Sequence, residues 1–152
     1  MAKAIRGGET CAIARTTDVL RDPWTFLILR EAFGGVTRFS DLRANLGVAS
    51  DVLTQRLDSL VSAQVLRREQ YREAGSRTRS SYHLTEAGAE LKIAVAALQQ
   101  WGDAHLPVEC GPTVARRHRS TGVPLEVAFV DPDGRRVDLV DADFERTAAY
   151  PT

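Results

Sequence analysis

Cysteine is scarce in this chain: Cys11 and Cys110 are the only two in 152 residues. That is too few for a disulfide framework. Neither has a partner at zinc-finger spacing, and the three histidines, His83, His105 and His118, are scattered. No metal site and no cofactor is therefore expected. Long hydrophobic runs are also missing. No apolar stretch approaches the roughly 20 residues of a membrane span. The opening residues, MAKAIRGGET, lack the apolar core of a secretory signal. The expectation is a cytoplasmic protein without a membrane partner. A P-loop, a dinucleotide-binding glycine pattern, a nucleophile elbow and paired metal ligands are all lacking, so an enzyme is not expected. Internal repeats and low-complexity segments are absent.

What remains is ordinary in bulk and uneven in detail. Apolar residues make up 43% of the chain and charged residues 26%, as in globular proteins. The length allows one domain with a real core plus an appendage. Formal net charge is zero, which at first argues against a nucleic-acid partner. Residues 36–82, however, hold eight basic and five acidic side chains, whereas residues 83–152 hold seven and eleven. A phosphate backbone responds to the local footprint rather than to the total.

The spacing predicts a first helix over Cys11–Leu20, capped by Thr10, with Ile13, Ala14, Thr17 and Leu20 along one side. Asp22-Pro23 restarts the chain as N-cap and first helical residue. The second helix, Trp24–Phe33, is apolar nearly all round and belongs in the domain centre; Gly34-Gly35 ends it. After a short extended piece, Ser40 caps a third helix over Asp41–Leu46, which Gly47 terminates. Ser50 caps a fourth helix from Asp51 to about Gln64. It turns Leu53, Leu57, Leu60 and Val61 inward and Asp51, Thr54, Gln55, Asp58 and Ser62 outward. Two strands follow, Val65–Tyr71 and Thr78–Leu84, joined by the polar turn Arg72–Arg77. Thr85 caps a fifth helix, Glu86 to about His105, and Pro107 ends it. Near the C-terminus, Leu125–Val130 and Arg136–Val140 flank the turn Asp131-Pro132-Asp133-Gly134 and read as a second hairpin.

Helix, helix, helix-turn-helix, hairpin, long helix is the order of a winged helix-turn-helix. The fold class is mainly α with small β (α+β), with N- and C-terminal dimerisation helices and a C-terminal β-hairpin appendage. Residues 1–106 are assigned to the DNA-binding and dimerisation domain and 107–152 to the extension. In such a plan the fourth helix enters the major groove of double-stranded DNA. Ser50, Thr54 and Gln55 face outward there, with Gln suited to adenine and Ser/Thr to several base edges. Arg56 sits at the edge of that face. Arg72, Ser76, Arg77 and Arg79 equip the wing for phosphates or a narrow minor groove. Arg38 and Arg43 flank the helix pair and are placed to steady it on the backbone. Each of these also has the plainer reading of a solvated surface side chain. Asp51 and Asp58 on the same face repel phosphate, so the helix must tilt to keep them off the backbone or use them to read cytosine.

From Cys11 to Leu106 the chain resembles the HxlR family of bacterial regulators, a winged-helix branch related to MarR-type regulators. The matching pieces are the N-terminal cysteine, Trp24-Thr25-Phe26-Leu27-Ile28-Leu29-Arg30-Glu31, Arg38-Phe39-Ser40-Asp41-Leu42, Val52–Leu60 and Tyr82-His83-Leu84-Thr85-Glu86-Ala87-Gly88. The resemblance implies a sequence-specific transcriptional regulator acting as a homodimer on a pseudo-palindromic operator, with repression as one output and activation the other. It also implies that the first and last helices exchange contacts between subunits. Ile13, Leu91, Val95, Leu98 and Trp101 are the dimerisation candidates; the fifth helix carries more apolar surface than a lone terminal helix needs.

Members that resemble this chain include sensors of oxidants or electrophiles acting through a cysteine at the place of Cys11. A thiol in the first helical turn with Arg15 one turn on fits a reactive thiolate. Ala12 stands where many members have proline, and a small buried apolar residue is the alternative role. Trp24, Phe26, Phe33 and Trp101 are candidates to line a pocket for a small-molecule effector, with plain core as the other reading. The rival function is a winged-helix protein-interaction adaptor without specific DNA binding. An exposed apolar patch in place of the arginine-bearing wing would favour it.

Overall fold

A computed structural model describes residues 10–150. Five α-helices, two short β-hairpins and one 3₁₀ turn follow in the order α1 (Ala12–Leu20), α2 (Pro23–Phe33), α3 (Phe39–Leu46), α4 (Ser50–Ser62), β1 (Leu66–Tyr71), β2 (Arg79–Leu84), α5 (Glu86–His105), β3 (Phe129–Val130), β4 (Arg136–Val137) and η1 (Leu139–Asp141). Winged-helix architecture, mainly α with small β, is what the sequence pattern predicts. No helix of the described residues is long and apolar enough to cross a membrane.

The chain divides into two units. The first runs to Lys92 and the second spans Ile93–Tyr150, so the division falls within α5. The core of the first unit is formed by Ile28 and Leu29 of α2, Leu42 of α3, Leu53, Leu57 and Leu60 of α4, and Leu66 of β1, all essentially sealed from solvent. Leu53, Leu57 and Leu60 recur at four and three along α4, and Ile28 and Leu29 fall three and four after the buried Thr25 of α2, the spacing that puts one stripe of each helix against a common core. Thr25 joins them as a buried polar residue. Trp24, Phe26, Leu27 and Phe33 are only half-buried, so α2 is less fully enclosed than its all-round apolar sequence predicts.

The helix ends follow local chemistry, with three differences from the sequence expectation. Asp22 caps α2 as expected, its Oδ1 accepting from the Trp24 N–H at 2.9 Å with Pro23 next in line. The cap of α1 is Cys11 rather than Thr10. That of α3 is Arg38 rather than Ser40, and that of α4 is Ala49 rather than Ser50. None of these three caps makes a side-chain capping bond. The segment before α3 is drawn into the wing, where Arg38 bridges Ser81 and the Tyr82 N–H donates to the Thr37 carbonyl at 2.7 Å. That pairing fixes where α3 begins, and Ser40 falls inside the helix. Tertiary pairing has overridden a local preference.

Thr85 caps α5: its Oγ1 accepts from the Gly88 N–H at 3.0 Å and donates to the carbonyls of Gln64 and Val65. Gly88 rests directly on the Val65 carbonyl, where a Cβ would come within 2.0 Å of the oxygen. The family-like Leu-Thr-Glu-Ala-Gly string is thereby explained as the joint between the wing and α5.

In the second unit the hairpin is shorter than expected, two residues per strand, pairing Phe129 with Val137 and Val130 with Arg136. Leu125–Ala128 stay outside it, and Leu139–Asp141 wind into η1. The turn behaves as its residues require: the Asp131 carboxylate accepts from the N–H groups of Asp133 and Arg135, both at 2.9 Å. The Gln100 side chain pins Val127, donating to its carbonyl at 2.9 Å and accepting from its N–H at 2.8 Å. Arg116 pairs with Asp103 at 3.4 Å.

Candidate nucleic-acid interface

The site is built around the corner between α3 and α4. Gly47 makes that corner. It sits in the left-handed region at φ 64° and its N–H donates to the Arg43 carbonyl at 3.0 Å, closing α3. A side chain there would be strained. Val48, buried, anchors the corner to the core.

The register of α4 follows from Leu53, Leu57 and Leu60. With these inside, Ser50, Asp51, Thr54, Gln55, Asp58, Ser59 and Ser62 are exposed. The Thr54 hydroxyl donates to the Ser50 carbonyl at 2.7 Å, which leaves its oxygen to accept from a neighbour. The Gln55 amide makes no hydrogen bond among the described residues and offers both donor and acceptor to solvent. Asp58 is neutralised by Arg68 of β1, whose guanidinium lies 5.3 Å from the centre of the Tyr82 ring. Burial pulls Arg68 toward the neutral form, but the combined effect of Tyr82 and Asp58 outweighs it and raises its pKa above the ordinary value. The repulsion expected from Asp58 is thus met within the protein, by a residue whose role no local sequence signal marks.

The wing is β1 and β2 in antiparallel register from Leu66 opposite Leu84 to Tyr71 opposite Arg79. The arginines of α3 and its N-cap, of the wing turn and of β2 fall into two sets. Arg38 pairs with Glu73 at 2.9 Å and lies 5.0 Å from the Tyr71 ring centre. Arg72 donates from Nε to the Ser76 carbonyl at 2.9 Å, and the Ser76 N–H donates to the Glu73 carbonyl at 3.0 Å. These residues hold the turn together. Arg43, Arg77 and Arg79, by contrast, make no side-chain hydrogen bond or ion pair among the described residues. They line one groove of about 700 Å³, together with Phe39, Ser40, Ser50, Tyr71, Thr78, Ser80 and Tyr82. The groove therefore joins the wing to the start of α4, the two places the sequence reading chose. Its three charges lack internal partners while hydroxyls and aromatic rings form its walls, a composition suited to a phosphate strand.

Arg56, predicted at the edge of the DNA face, is half-buried and pairs with Asp22 at 2.8 Å. Glu69, on the outer side of β1, accepts from Arg67 Nε at 2.8 Å and lies 3.4 Å from His83 Nε2. The Arg67 hydrogen bond outweighs a small opposing effect of burial, and with the charges of His83 and Arg67 it holds the Glu69 carboxyl below its ordinary value of 4.5.

Ile13 on α1 is 71% exposed; Leu98 and Trp101 on α5 are 56% and 58% exposed, with Leu91 and Val95 half-buried. Cys11 is half-buried and Cys110 exposed, and both are free thiols. Phe33 lies under Lys92, whose Nζ is 5.3 Å from the ring centre. Trp101 stacks at a tilt on His105, with ring centres 5.1 Å apart.

Comparison with known proteins places this geometry. The pattern of the HxlR-like helix-turn-helix family matches residues 19–110. An uncharacterised HTH-type transcriptional regulator of Mycobacterium tuberculosis is 41% identical over 111 residues, covering 73% of this chain and 69% of that protein. Among solved structures, PA1607, a candidate transcription factor, is similar with a TM-score of 0.77 and 31% identity, over 90% of this chain and 95% of that one. The redox regulator HypR in its reduced form is similar over 63% of this chain and 94% of its own, with a TM-score of 0.57 and 25% identity.

Proposed function

The chain belongs to the HxlR-like helix-turn-helix family, and from that premise we propose that it binds double-stranded DNA sequence-specifically as a homodimer on a pseudo-palindromic operator. The family is one of transcriptional regulators of the helix-turn-helix type rather than of enzymes. In the proposed complex, residues 1–106 bind DNA and dimerise. Ser50, Thr54 and Gln55 read base edges in the major groove. Arg43, Arg77 and Arg79 take phosphates, while Arg38, Arg72 and Ser76 shape the wing that presents them. The observation that carries this reading is the groove in which three arginines without side-chain partners among the described residues stand beside Ser50, the first residue of α4.

Dimerisation is supported by Ile13, Leu98 and Trp101, large apolar side chains left exposed by a single chain. Water-exposed surface of this kind is what a symmetric partner removes. For the signal, Cys11 is the proposed oxidant sensor, supported by its position at the start of α1 and by the similarity to a redox regulator. A small-molecule effector held by Trp24, Phe26 and Phe33 of the first unit is the alternative input.

Selection of random duplexes by the reduced protein, followed by salt titration on the winner, tests the central claim. A two-fold-symmetric site with a steep salt slope is the expected result. No enrichment at any salt would end it and favour a protein adaptor. Cys11→Ser should abolish loss of binding on oxidation; an unchanged response removes Cys11 from the mechanism.

A further inference from the structure

Asp22 and Arg56 lie 34 residues apart and carry different expected roles, a helix cap and a DNA-facing arginine. The structure makes them one unit. Asp22 uses both carboxylate oxygens: Oδ1 accepts from the Trp24 N–H at 2.9 Å and Oδ2 forms an ion pair with Arg56, 2.8 Å from its Nη2. The two side chains are only 21% and 23% exposed. Asp22 sits at the corner between α1 and α2, while Arg56 lies on α4 between the outward Gln55 and the sealed Leu57.

What surrounds the pair matters. A cleft of about 850 Å³ is lined by Asp18, Arg21 and Asp22 from the α1–α2 corner and by Asp51, Gln55 and Arg56 from α4. Val19 and Ala63 line the same cleft beside these charged and polar side chains, and the ion pair spans it. The contact is not optimised for stability, because Arg56 Nε is buried with no hydrogen-bond partner among the described residues. A half-buried, half-satisfied ion pair adds little stability; fixing the register of two elements is the better-attested use.

We propose that the Asp22–Arg56 pair is a positioning clamp that sets the rotation and tilt of α4 and thereby the base discrimination of Ser50, Thr54 and Gln55. Arg56 acts through Asp22 and does not itself take a phosphate. The inference rests on the DNA-binding reading above for its consequence, but not for the clamp itself.

The test uses Asp22→Asn, Arg56→Gln and the double variant in the full chain. Asn keeps an oxygen to cap Trp24 and removes the charge that holds Arg56. Without DNA, amide exchange over Arg56–Leu60 should quicken about tenfold in either single variant and no further in the double. Unchanged exchange in Asp22→Asn overturns the clamp. With DNA, the affinity ratio between the selected duplex and single-base variants should fall about tenfold, equally in the single and double variants, at an unchanged salt slope. A slope reduced by about 0.9 in Arg56→Gln but not in Asp22→Asn would make Arg56 a phosphate ligand and overturn the proposal. If the unsubstituted protein selects no duplex, the DNA-binding reading and the clamp's consequence both fall, and exchange alone still decides whether the clamp exists.

Discussion

At the scale of single residues, the interface separates charges already in use from charges kept available. Arg38, Arg56, Arg68 and Arg72 each have a protein partner, whereas Arg43, Arg77 and Arg79 line the groove without one among the described residues. The two sets predict different phenotypes. Arg77→Ala should weaken binding to all duplexes alike and lower the salt slope by about 0.9, the signature of one lost phosphate contact. Gln55→Ala should leave the slope and change the preferred base; a competition assay against single-base variants reads this. Equal effects of both changes on every duplex would refute the division of labour. Glu69 offers a check by pH. Because Arg67 holds its folded pKa below 4.5, whatever stability it adds is present above that value and lost as pH falls through the lower folded pKa. The Glu69 carboxyl resonance should titrate with a midpoint below 4.5, and Arg67→Ala should move it upward.

At the scale of elements, the junctions matter more than the helices. The α3–α4 corner is closed by Gly47 in the left-handed region, and the joint from the wing to α5 by Thr85 and Gly88. Gly88→Ala forces a methyl group to within 2.0 Å of the Val65 carbonyl oxygen, and backbone cannot yield as a flexible side chain does. Overpacking of this kind costs about 1–3 kcal/mol, read as a lower urea midpoint at unchanged slope. Leu57→Ala, at a fully buried α4 position, should cost about 2–5 kcal/mol and weaken DNA binding through the fold rather than through contact. A variant at full stability with lost binding would contradict that route. The strand pairing of Arg38 and Thr37 with β2 explains why α3 begins at Phe39: backbone bonds to the wing outweigh the capping preference of Ser40.

At the scale of the whole molecule, the exposed Ile13, Leu98 and Trp101 make assembly the property to measure. Sedimentation of the full chain is expected to give a dimer, and Leu98→Arg with Trp101→Arg to give a monomer with weaker operator binding. A dimer that survives the double change would place the interface elsewhere. The second unit is stitched largely by polar contacts, the Gln100–Val127 pair and the Arg116–Asp103 bridge. None of its large apolar side chains is buried.

Much of this was written into the chain locally. Apolar residues recurring at three and four, Asp22-Pro23 ahead of α2, Gly47 between α3 and α4, and the Arg72–Arg77 turn each determine nearby backbone, because their effects act within one turn of chain. The order of those elements was therefore legible, and with it the winged-helix plan and the outward residues of α4. Tertiary structure alone decided how side chains distant in sequence pair. It turned Arg56 onto Asp22, set Arg68 against Asp58, bound Arg38 into the wing and left Arg43, Arg77 and Arg79 together in one groove. An arginine's long stem can reach any of several carboxylates, and which one it meets depends on how separate elements pack, not on its neighbours in the chain.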